Sequence, residues 1–134
     1  MQLSLRAGEK LYLNGAVIKV DRKVSIELMN DVTFLLEAHV LSPEETTTPL
    51  RQLYFMIQVL LMDPNCDAGH LADGMVTRLL DTFENAEIRN GLRHVRDLLS
   101  VRRRFEALKT IRRMLPLEAI ILAPSPPQRI ALSA

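Results

Sequence analysis

The chain has 134 residues, 48% of them apolar and 25% charged, enough hydrophobic material for one core and too little charge for a disordered chain. Seventeen lysines and arginines against sixteen carboxylates leave a formal net charge of +1, which excludes a generally basic nucleic-acid coat and an acidic tail protein. One cysteine excludes a disulfide framework, and no uncharged run approaches the roughly 18 apolar residues of a membrane span.

From the N-terminus, Arg6, Glu9 and Lys10 follow Met1 too soon for a secretory signal, so a soluble cytoplasmic protein is predicted. Leu3 and Leu5 alternate with Ser4 and Arg6 as a short strand. Lys10 to Leu13 and Ala16 to Val20 flank Asn14-Gly15, a hairpin signal because both central residues of a type I′ turn need positive φ. Asp21-Arg22-Lys23 breaks the pattern, and Val24 to Leu28 alternates again. After Asn30-Asp31, the run Val32 to Glu37 predicts a last strand or a short helix. The period-two rhythm of residues 1–40 thus predicts a small antiparallel meander of three to five strands, too thin to stand without a covering layer.

Helical rhythm begins at Thr48, an N-cap with Pro49 in the first helical position. Leu50, Leu53, Tyr54, Ile57, Leu60 and Leu61 then form one buried stripe, and Asp63-Pro64-Asn65 stops the helix. A second helix is predicted over Leu71 to Phe83 and a third over Ala86 to Leu99. The fourth spans Val101 to Leu115 and ends at Pro116, before a short apolar piece reaching Leu122. The expected fold is α+β: antiparallel strands on a bundle of about four helices, forming a single domain over residues 1–122 (1–40 β-rich, 48–122 helical). Residues 123–134 hold three of the seven prolines and are predicted to be a disordered tail.

Chemistry is sparse. His39, His70 and His94 stand far apart and Cys66 has no partner at ligand spacing, so neither a metal nor another cofactor is expected. Asp63-x-Asn65-x-Asp67 opens like a calcium loop, but Ala68 replaces the turn glycine and Gly74 the bidentate glutamate. Gly69 and Gly74 lack the lysine and hydroxyl of a phosphate loop. No nucleophile elbow exists and no base stands beside Ser42 or Cys66, so an enzyme is not predicted.

Charge placement is more telling than its total. Arg89, Arg93, Arg96, Arg102, Arg103, Arg104, Lys109, Arg112 and Arg113 face only Asp97 and Glu106 in the same segment. Arginine forks onto phosphate and carboxylate better than lysine does. Arg89, Arg93 and Arg96 share one helical stripe and Arg102, Lys109 and Arg113 another. In an antiparallel pair the two stripes are expected to merge into one phosphate-binding plate, helped by Arg6, Arg22 and Lys23 from the hairpins. A solvated outer face, or a dock for an acidic protein, accounts for the same charges. On the first helix Arg51, Gln52, Phe55 and Gln58 fall off the buried stripe and suit a protein interface. Free sheet edges make a homodimer conceivable.

Several segments resemble the FlbT family in order and spacing: Ala7-Gly8-Glu9, Asn14-Gly15-Ala16-Val17, Asp21-Arg22-Lys23, Phe34-Leu35-Leu36-Glu37, Thr48 to Gln58, and Phe105-Glu106-Ala107-Leu108-Lys109. The resemblance runs from about Leu3 to Leu122. It implies a regulator of flagellum biosynthesis that associates with the 5′ untranslated region of flagellin messenger RNA, promotes its degradation and represses flagellin synthesis, although some members act positively. It also implies a FlaF-like regulator and flagellin as protein partners, and it carries no catalytic residues. The alternative is an adaptor or chaperone-like module that binds those proteins without touching RNA. Arg6 to Leu13 with Val17 to Val20 is further similar to the first strands of the carbon storage regulator family, which implies RNA contact at Arg6.

Overall fold

The N-terminal alternation becomes five short strands, and the 3.6-residue rhythm becomes four helices, in a computed structural model that describes residues 1–14, 16–63 and 69–123. The helix stop after Asp63, the environment of Cys66 and the proline-rich tail lie outside the described residues, as does Gly15.

Strand β1 (Gln2–Leu5) pairs antiparallel with β4 (Val24–Glu27), placing Leu3 opposite Ile26 and Leu5 opposite Val24. Strand β2 (Lys10–Leu13) is the centre of a second sheet, between β3 (Ala16–Lys19) and β5 (Phe34–Leu36). This corrects the expected meander. The first strand skips the hairpin and pairs with the fourth, so the β region is two small sheets instead of one. At the β2–β3 turn Asn14 has φ +47°, the left-handed geometry the hairpin signal demands.

Period-two alternation then sorts the side chains. Leu11, Ile18 and Leu36 share one face with Leu3, Leu5, Val24 and Ile26 and build an apolar core between the sheets. Tyr12 and Leu35, which are paired across β2 and β5, point the other way into the helical core. The three-stranded sheet is therefore a middle layer, and the helices are the cover it requires.

Helix α1 (Pro49–Met62) starts as expected: the Thr48 hydroxyl accepts a hydrogen bond from the Arg51 N–H at 3.2 Å, and Pro49 has no N–H to satisfy. Helix α2 (Gly69–Thr82) and helix α3 (Ala86–Ser100) follow, the latter capped by Asn85. Helix α4 (Arg104–Leu122) differs from expectation, because it runs straight through Pro116. Pro116 removes one helical hydrogen bond, but its ring lies on the exposed face. One half-turn later Glu118 is 1% exposed and bound to the start of α1: its carboxylate accepts from the Thr48 hydroxyl at 2.5 Å and from the Leu50 N–H at 2.7 Å. A carboxylate at a helix N-terminus meets unpaired N–H groups and the positive end of the dipole. That anchor offsets the missing bond and carries α4 past the proline.

Candidate nucleic-acid interface

Helices α3 and α4 form an antiparallel pair, but the arginine stripes do not merge. The flank of α3 facing α4 is marked by Gly91, where an added Cβ would lie 2.1 Å from the Met114 sulfur. Arg89, Arg93 and Arg96 occupy the opposite flank, toward α2. Arg89 is spent there: its Nη1 donates to the carbonyls of Leu80 and, at 3.3 Å, Phe83, closing the C-terminal end of α2. Arg93 donates to the Asn90 side chain at 2.8 Å and stays exposed. Arg113 is exposed far along α4. Arg6, Arg22 and Lys23 sit at the end of the β layer opposite the Asn14 turn, Arg22 beside Asp21 at 3.3 Å, whereas residues 32–34 close the Asn14 end. The expected single plate is thereby corrected: helix phase fixed each stripe, and the direction from which α4 packs separated them.

What the fold does gather is a corner at one end of the bundle. Helix α3 ends in a Schellman closure, with the Arg102 N–H donating to Leu99 at 3.1 Å and the Arg103 N–H to Leu98 at 2.8 Å. Arg102 takes the left-handed position with φ +61°, where glycine is usual, so it is a turn residue and not part of the fourth-helix stripe. Two open clefts flank this turn. The first lies between residues Val32–Phe34 and Arg102–Glu106, floored by Leu61, Phe34 and Phe105. The second lies between Arg96, Ser100 and Arg104 on one side and Gly69, His70 and Asp73 on the other. Arg104 borders both, and its Nη1 reaches the Leu60 carbonyl at 3.5 Å. Arg103 pairs with Glu106 on the surface. Lys109 joins through the Phe105 ring, with its Nζ 5.0 Å from the centroid. The N-termini of α2 and α4 open toward the same corner and add partial positive charge. Arginine forks beside two helix starts suit phosphate groups, and the aromatic floor suits something flat. Phe34 and Phe105 are missing from the sequence expectation; the adjacency of three arginines and a phenylalanine at 102–105 is the local signal that points to them.

A further group of polar side chains lies where the 3-10 turn Glu37–His39 meets α1 and α4. The Tyr54 hydroxyl, pushed upward in pKa by burial, donates to the His39 carbonyl at 2.5 Å. Burial, then Arg112 and Lys109, hold the His39 imidazole below its ordinary pKa. Nη1 of Arg112 is buried there with no hydrogen-bond partner among the described residues.

On α1, Gln58 is 4% exposed, which corrects its assignment to the off-stripe surface. Its amide donates to the Leu41 carbonyl at 2.9 Å and accepts from the Leu41 N–H at 2.8 Å, pairing like a strand residue with an otherwise unpaired backbone. Arg51 is half-buried and reaches the Glu45 carbonyl at 3.5 Å, Phe55 is half-buried, and Gln52 is exposed. Among the described residues no group of three histidine, cysteine or acidic side chains could hold a metal ion, and no helix is long and apolar enough to cross a membrane.

Residues 1–122 match the family described as "Flagellar protein FlbT". A Brucella ovis protein named "Probable flagellum biosynthesis repressor protein FlbT" is 53% identical over 128 residues, covering 94% of this chain and 84% of its own. A protein of the same name from Chelativorans sp. is 53% identical over 135 residues, covering 99% of this chain and 93% of its own. No solved structure matches the chain. With residues 1–122 inside one family and half its residues shared with those relatives, the chain belongs to the FlbT family of flagellar proteins.

Proposed function

We propose that this protein represses flagellum biosynthesis after transcription, by holding the 5′ untranslated leader of flagellin mRNA and promoting its degradation, with no chemistry of its own. The names of its relatives support the repressor role. The observation that carries RNA contact is the corner where Arg96, Arg102, Arg103 and Arg104 border two clefts beside two helix N-termini. Phosphates bind such forks strongly, and each contact made to single-stranded RNA lowers the slope of log affinity against log salt by about 0.7. The double variant Arg102→Glu with Arg103→Glu tests this in the cytoplasm and in a filter-binding assay. It is expected to lose leader RNA more than tenfold while retaining its circular dichroism spectrum. Undiminished RNA affinity in that variant would remove the corner from the reading.

A second reading is favoured by an apolar groove along the helix-facing side of the middle sheet. Tyr12, Val17, Leu35, Leu61 and Met62 line it, and Val17 is 61% exposed beside the free edge of β3. Such a groove suits flagellin or a small helical FlaF-like regulator. Salt separates the two readings: binding in the groove responds weakly to ionic strength, whereas binding at the corner weakens steeply.

A further inference from the structure

We propose that the cleft between the α3–α4 turn and the segment before β5 is a pocket for one unpaired RNA base, so that this protein reads single-stranded loops and not duplex stems. The inference rests on the RNA reading above and adds to it the form of RNA that is bound.

The cleft holds about 270 Å³, just under the roughly 300–1,000 Å³ of drug-sized ligand sites, which suits an occupant smaller than those, such as one base. Its composition is divided. Val32, Phe34, Leu61 and Phe105 make an apolar floor, while Arg102, Arg103 and Arg104 stand along the rim. The Phe34 and Phe105 rings meet with centroids 5.3 Å apart and planes tilted by 40°, so the floor is aromatic at its centre. Both rings are half-buried, whereas ordinary core aromatics such as Tyr54 are closed off at 1% exposure. A phosphate needs only the rim. The half-open aromatic floor has no use for a phosphate, but a splayed-out base has a flat apolar face to lay against it and a phosphate on either side for the arginines. Bases inside a duplex are stacked and paired, so a stem reaches the rim and leaves the floor empty.

The test uses the full chain with a short RNA carrying 2-aminopurine, free or annealed to its complement. The wild type is expected to bind the single strand at least tenfold more tightly than the duplex and to change the 2-aminopurine fluorescence. Phe105→Leu keeps the apolar bulk and removes the ring; it is expected to weaken the single strand about fivefold or more and to leave the duplex unchanged. Should Phe105→Leu lose its helical signal, Thr33→Trp fills the cleft from its rim and makes the same comparison. Equal affinity for both RNA forms, or equal loss on both, would overturn the base pocket and leave the arginine corner standing. No binding of either form by the wild type would overturn both.

Discussion

Arg102 is where stability and function are expected to pull in opposite directions. It occupies the left-handed position that ends α3, with φ +61°. A side chain there crowds the following carbonyl and costs about 1–2 kcal/mol relative to glycine. Replacing it with glycine relieves that cost but frees the unfolded chain, returning roughly 0.4–1 kcal/mol. The net gain for Arg102→Gly is therefore about 0.5–1 kcal/mol, or about 2–4 °C in Tm for a chain of this length. Arg102→Ala keeps the Cβ and the strain, so its melting temperature should stay near the wild type.

Both substitutions remove the same guanidinium from the rim. Both should therefore weaken leader RNA several-fold and reduce the salt slope by about 0.7–1. Thermal melts followed by circular dichroism and binding at several salt concentrations read the two effects separately. If Arg102→Gly melts no higher than Arg102→Ala, the strain assigned to this turn is refuted. If the two variants bind RNA as the wild type does, strain persists at Arg102 for a reason unconnected with phosphate.

The buried anchor of α1 gives a larger stability effect. Glu118→Ala leaves the Leu50 N–H and the Thr48 hydroxyl without their acceptor and is expected to cost about 2–4 kcal/mol in urea unfolding, against about 1 kcal/mol for Glu118→Gln, which keeps one acceptor oxygen. Gln58→Leu keeps the volume but strands both polar groups of Leu41, and about 2 kcal/mol of stability should go with them, while RNA affinity should hold. His39 bears on pH dependence. Its folded pKa lies below the ordinary 6.5, so the unfolded chain takes up the proton first and stability falls as pH drops below that value. Denaturant midpoints at pH 7.5 and about pH 5.5 should therefore diverge more for the wild type than for His39→Gln, and equal divergence would exclude His39 as the cause.

Local chemistry made much of the fold legible. Asn14 carries its own turn, Thr48 and Pro49 start α1 at the expected residue, and the period-two alternation places the first four strands, while Val32 to Glu37 reads equally as a strand or a short helix. What eluded local reading is contact between distant segments. The acceptor for the Thr48 hydroxyl lies 70 residues away, so nothing near Pro116 announces that the helix continues past it. Gln58 looks like a surface residue until Leu41, 17 residues earlier, needs a partner for its backbone. Arg89, Arg93 and Arg96 keep their helical phase on α3 while Arg102 drops out of the α4 stripe, and phase says nothing about which flank a neighbour covers. Gly91 holds that information, because only a residue without Cβ admits Met114 so closely, but a lone glycine in a helix does not name its neighbour.

The near-zero net charge conceals an axis. Helices α2 and α3 are joined at one end by a segment holding the exposed carboxylates of Asp81, Glu84 and Glu87, and α3 leaves for α4 at the other end through Arg102 and Arg103. Fifteen residues of α3 separate these ends, roughly 22 Å at 1.5 Å per residue, well beyond a physiological Debye length of about 8 Å. The two clusters therefore do not neutralise each other in solution. A polyanion meets the densest positive charge at the Arg102–Arg104 turn, since Arg89 at the other end is spent on the carbonyls of α2, and this difference would orient an encounter before any contact forms. Selectivity by orientation needs separated charges and gains nothing from a large excess of one sign. A uniformly basic surface would hold any RNA in any pose, whereas on the proposed reading this arrangement would favour the pose that brings a strand to the corner.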